Sequence, residues 1–135
     1  MFYIFDEMDS GERIETGRRA EDIALDFLKG NGQILLERNW RNGHKELDLI
    51  MKSLSQYGIE RLHIVEVRSL KEPNLCNPYE SIDIFKQRAV ISAARAYIRL
   101  NNINMETQFD IVSVVFKAES VELEYFPDAF TPSWR

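Results

Sequence analysis

"HKELDLIMKSLSQYGIERLHIVEVRSL", residues 44–70, decides the fold. Both ends of this stretch alternate apolar and polar residues, the signature of half-buried strands, and the polar "KSLSQYG" between them reads as a turn. The two halves are therefore expected to pair antiparallel. In the first, Leu47, Leu49 and Met51 are predicted to share one face, with His44, Glu46 and Asp48 on the other. In the second, Val65 and Val67 share a face opposite Glu66 and Arg68. Pairing brings Asp48 and Glu66 together, and two carboxylates face to face repel unless a cation, a proton or a basic group intervenes.

The flanking sequence supplies the remaining layers. Between Thr16 and Leu28 the apolar residues Ala20, Ile23, Ala24, Phe27 and Leu28 follow helical spacing, and "GNG" at 30–32 stops the helix. "QILLERNW" reads as a strand before the hairpin, and the Pro73–Pro78 segment reads as a loop. A second helix is predicted from a cap at Asp83 to Leu100, ended by "NNIN". "QFDIVSVVF" and "VELEYF" add two strands, and the "PDAFTPSWR" tail is expected to pack Phe130 or Trp134 on the body. The order is α-β-β-β-α-β-β, an α/β arrangement with a central mixed sheet flanked by helices. We divide it into an N-terminal arm, residues 1–15, and a single domain, residues 16–135.

Composition sets bounds on function. A chain of 135 residues, 44% hydrophobic and 29% charged, suits one domain with a substantial core. The lone Cys76 makes no internal disulfide, and no apolar run reaches membrane-spanning length, since Arg95 interrupts "AVISAARAYI". A cytoplasmic protein without membrane contact is the expectation. The net charge of −5 argues against a broad basic surface for nucleic acid but leaves room for a local basic groove.

Glu21 lies at the edge of the first helix's apolar stripe, so one helix and two strands direct Glu21, Asp48 and Glu66 toward one spot. Three carboxylates suit Mg²⁺ or Mn²⁺ rather than zinc. Solvated acids, or acids paired with the many arginines, fit the pattern equally well. Lys86 stands one turn before Val90, Ala93, Ala94 and Tyr97 on the second helix's sheet-facing stripe. Its amine either snorkels to water or reaches the acids.

"GRRAEDIALDFLKGNGQILLERNWR", "KELDLI", "IVEVR", the lysine of "IFKQR", "FDIV" and "DAF" together resemble the YraN family of small bacterial proteins, over roughly residues 16–130. The resemblance implies a restriction-endonuclease-like fold akin to that of archaeal Holliday-junction resolvases. It implies a metal-dependent endonuclease acting on branched or otherwise structured DNA, and leaves open a homodimer of the kind such resolvases form; no motif reads bases, so sequence specificity is not expected. Glu21, Asp48 and Glu66 then correspond to the family's metal ligands. Two positions depart from its pattern: Lys45 replaces a glycine, and Arg68 replaces the lysine thought to position or deprotonate the attacking water. Arginine clamps phosphate well but cannot serve as a base at neutral pH. Lys86, on the neighbouring helix, is the candidate for that role. A domain that binds DNA without cutting it is the alternative.

Other residues invite structural readings. Glu46 is expected to pair with a nearby base, and His44 and His63 lack metal-ligand spacing. Asp110 is expected to make a structural hydrogen bond. Arg18, Arg19 and Arg41 are candidate phosphate contacts or ordinary surface arginines.

Overall fold

The computed structural model describes residues 10–71 and 82–134. Helix α1 (Ser10–Gly30) is followed by β1 (Ile34–Asn42), β2 (Lys45–Leu54), β3 (Glu60–Lys71), helix α2 (Ile84–Leu100), β4 (Glu106–Phe116) and β5 (Val121–Phe130). This is the α-β-β-β-α-β-β order expected of a restriction-endonuclease-like fold. The five strands form one sheet in sequence order. All neighbours are antiparallel except β3 and β4, which run parallel because α2 carries the chain between them.

Each helix covers one face. Ala20, Ala24, Leu25 and Leu28 of α1 are buried against Leu49, Met51, Val65, Val112 and Val114. On the other face Val90, Ala93, Ala94 and Tyr97 of α2 pack on Ile50, Leu62, Ile64, Phe109 and Ile111, as the stripe predicts. Alanines at four of these helix positions let both helices approach the sheet closely. Asp83 caps α2, its carboxylate accepting a 2.9 Å bond from the Lys86 N–H. The tail packs too, with Phe130 stacked on Phe109 and the Trp134 indole edge-on to the same ring.

Helix α1 extends beyond the Thr16–Leu28 stretch of apolar spacing, back to Ser10. Two expectations need correction. Strand β5 continues through Pro127 to Phe130, because a register shift against Phe109 and Ile111, with Asp128 at φ 52°, absorbs the proline. More important, Leu47 does not share a face with Leu49 and Met51. It packs on the α2 side with Ile50, while the other two lie under α1. Opposite this point in β1, Asn39 has a φ of 54°, between the pairs Arg38↔Leu49 and Trp40↔Leu47. Arg38 turns toward α1 and Trp40 toward α2, where it meets Tyr97 edge-on at 5.3 Å. Residues 1–9, the Pro73–Pro78 loop and Cys76 lie outside the described residues.

Candidate functional site

The irregularity at Asn39 falls where β2 and β3 part. Their pairing runs from Leu54↔Glu60 to Leu49↔Val65 and stops. Beyond it β2 stays with β1 and β3 stays with β4. Backbone groups at such a split need other partners. Asp48 supplies one: its Oδ2 accepts a 2.9 Å hydrogen bond from the Val67 N–H.

Glu66, the next residue of β3 after the last pair, is 4% exposed. Its Oε2 lies 3.2 Å from Lys86 Nζ, so the amine reaches the acids instead of snorkelling away. Burial raises the Asp48 pKa, the Glu66 charge raises it further, and a hydrogen bond shared by the two carboxyls acts in the same direction. The Val67 N–H and Lys86 offset only part of this. Asp48 and Glu66, with the Lys86 amine beside Glu66, form the centre of the site.

Glu21 approaches from α1. Burial and the nearby Asp48 raise its pKa, while hydrogen bonds from Asn39 and Arg38 pull it down. Arg38 Nε donates to Glu21 Oε1 at 3.3 Å, and its Nη1 meets Asp22 at 2.8 Å. Neither Arg38 nor Asn39 is among the residues that the sequence pattern picks out. The available signal is an asparagine inside a strand, a poor β-former that marks irregular backbone. Arg68 lies half-buried two residues beyond Glu66 along β3, paired with Ser113 in the parallel register.

Among the described residues, no three His, Cys, Asp or Glu side chains are arranged as a ready metal cage. Asp48 and Glu66 converge, whereas Arg38 and Asn39 hold Glu21 to one side. That set still suits Mg²⁺ or Mn²⁺, which bind through one or two carboxylates and keep several waters. Burial first, and the neighbouring acid next, raise the pKa of both Asp48 and Glu21.

Other candidates resolve as structural. Glu46 pairs with Arg41 at 3.1 Å on the surface. His63 is buried, with Nδ1 donating to Asp110 Oδ2 at 2.8 Å and Nε2 lying 2.7 Å from Ser53 Oγ. Arg19 stacks its guanidinium over Phe116, 4.8 Å from the ring centre.

The fold and this cluster define a small α/β domain with an acid–lysine site at a parted strand pair. The chain matches the family described as "Uncharacterised protein family UPF0102" over residues 20–114, and it belongs to that family. It is similar to the UPF0102 protein of Bacteroides thetaiotaomicron, 31% identical over 90% of this chain and 96% of that one. The UPF0102 protein of Parabacteroides distasonis is 34% identical over 86% and 92%. That of Lawsonia intracellularis is 32% identical over 86% and 85%. These names state no activity, so function is argued from the site. No helix among the described residues is long and apolar enough to cross a membrane.

Proposed function

We propose that the protein is a metal-dependent endonuclease that hydrolyses phosphodiesters in branched or otherwise structured DNA. The observation that carries this reading is the 3.2 Å contact of Lys86 with Glu66, beside a buried Asp48 carboxyl whose pKa is raised by burial and by the neighbouring Glu66 charge. A structural ion pair needs one acid, not two crowded together.

Asp48 and Glu66 would hold Mg²⁺ or Mn²⁺, with Glu21 reaching it directly or through water. When bound, the cation supplies charge neutralisation on the scissile phosphate and a lowered pKa for a coordinated water. Lys86, 41% exposed in its side chain, orients the attacking water and steadies the charge that builds on the phosphate oxygens. Arg68 clamps a non-bridging oxygen pair through its planar fork and takes no part as a base. The water oxygen bonds to phosphorus as one P–O ester bond breaks; the sugar oxygen departs with that electron pair and takes a proton from solvent water, and the attacking water gives its own proton to solvent. Arg38 and Asn39 of β1 hydrogen-bond the Glu21 carboxylate and draw it toward that strand.

The test is incubation of labelled linear, flapped and four-way DNA with Mg²⁺ or Mn²⁺ and either wild type, Asp48→Ala or Glu66→Ala. Cutting that both variants lose supports the enzyme. The replacement at Arg68 keeps a second reading in view, a module that binds DNA without cutting it, and binding with no cleavage by wild type would establish that instead.

A further inference from the structure

Two clefts adjoin the acid cluster, one at each end. The first, about 590 Å³, lies between α1 and β1 and is lined by Arg18, Arg38, Asn39 and Arg41 together with Glu21. The second, about 320 Å³, lies beside α2 and is lined by His44, Lys45 and Glu46 together with Lys86. They therefore abut opposite ends of the series Glu21, Asp48, Glu66, Lys86. Each holds an exposed cation with no carboxylate partner among the described residues, Arg18 in the first and Lys45 in the second. Arg18 stands one helical turn before Glu21 on α1, and Lys45 three residues before Asp48 on β2. Long cations left unpaired in concave surface beside buried acids are suited to anions that arrive from outside.

We infer that one nucleic-acid strand crosses the site from cleft to cleft, its backbone phosphates held by Arg18 on one side and Lys45 on the other. The inference rests on the nucleic-acid reading above and adds the path and the single-stranded character of the bound segment. Glu66 is recessed, so a phosphate reaches it only if the chain bends inward between β2 and β3. A single strand does this readily, whereas duplex DNA is stiff over about 150 base pairs. Few cations line the clefts, and a chain of net charge −5 offers no broad basic surface for a duplex. Arg41 and Arg38, already engaged by surface acids, form the floor and sides of the path.

Fluorescence anisotropy with a labelled 12-nucleotide single strand and the matching duplex, in Ca²⁺ and with the oligonucleotide checked for integrity, tests this. Wild type is expected to prefer the single strand, with a slope of log affinity against log salt of roughly −2 to −3, as about three or four neutralised phosphates give. Arg18→Glu and Lys45→Glu should each weaken binding at least about tenfold and flatten the slope by roughly 0.7 or more. Arg99→Glu, an exposed charge in the last turn of α2, should stay within about twofold. Circular dichroism and melting curves check that all three variants fold. Loss in only one cleft variant, preference for duplex, or both variants binding like Arg99→Glu would overturn the through-path. Cleavage measured in parallel with Mn²⁺ separates the two readings. Cutting with unaffected binding in the variants removes the path and leaves the nuclease, while graded binding without any cutting leaves the path and removes the nuclease.

Discussion

Asp110 and Asp48 are both carboxylates set into the same sheet, yet their surroundings are opposite. Asp110 accepts four hydrogen bonds: from His63 Nδ1 at 2.8 Å, the Tyr125 hydroxyl at 2.6 Å, Gln108 Nε2 at 2.8 Å and the Asp128 N–H at 2.9 Å. Burial alone would raise its pKa, but those donors outweigh burial and hold it below the ordinary value. Asp48 has one backbone donor and a second acid beside it, and its pKa rises. Full satisfaction marks a group built to hold the fold; acids crowded together with few donors mark a candidate functional site.

Removing each acid should therefore have unlike consequences. Asp110→Ala strands a buried imidazole, a phenol and an amide, and should cost about 3–5 kcal/mol in urea unfolding, the usual loss when one partner of a buried charged network is deleted. Asp48→Ala gives up one hydrogen bond but relieves repulsion with Glu66, so its unfolding free energy should stay within about 1 kcal/mol of wild type. Equal losses in the two variants would erase the distinction.

Activity separates them in the other direction. Lys86→Ala should slow DNA cleavage at least about a hundredfold, the scale of one lost transition-state donor, although Arg68 remains. Adding Arg68→Lys to that variant should restore part of the rate. Unchanged cutting by Lys86→Ala would sink the idea that this lysine fills the place of the one missing from β3. Tyr125→Phe, at the satisfied end of the comparison, should leave cleavage alone and cost about 1.5–3 kcal/mol, the value of a hydrogen bond to a buried charge.

How much of this was legible follows from which residues obey local rules. Periodicity alone located both helix faces, since Ala20, Ala24, Leu28, Val90, Ala93 and Tyr97 are buried as spaced. The capping of α2 at Asp83 and the reach of Lys86 to the acids were also within reach of pattern reasoning. The face assignment of Leu47 was not, because the backbone is irregular there, with Asn39 at positive φ opposite it in the neighbouring strand. Strand alternation presumes regular backbone, and bulges occur by preference beside functional sites. The same irregularity hid Arg38 and Asn39 as partners of Glu21. Asp110 was legible as structural, but its four donors come from residues scattered over β3, β4 and β5, which no local spacing links.

The sharpest contrast lies in pH dependence. The folded pKa of Asp110 is below its ordinary 3.8, so the stability it contributes is present above that pH and lost as pH falls through the lower folded value. For Asp48 the sign reverses. Its folded pKa is raised from 3.8 to about 8, so the folded state binds the extra proton. That contribution is complete below 3.8 and is lost as pH rises through about 8. Wild type should therefore melt lower at pH 8 than at pH 5. Asp48→Asn carries no such proton and should flatten that slope while leaving the acid limb below pH 4 in place. Mn²⁺ competes with the same proton, so it should raise the melting temperature more at pH 8 than at pH 5 in wild type, and at neither pH in Asp48→Asn. A metal effect independent of pH, or one that survives in Asp48→Asn, would move the cation away from this pair of acids.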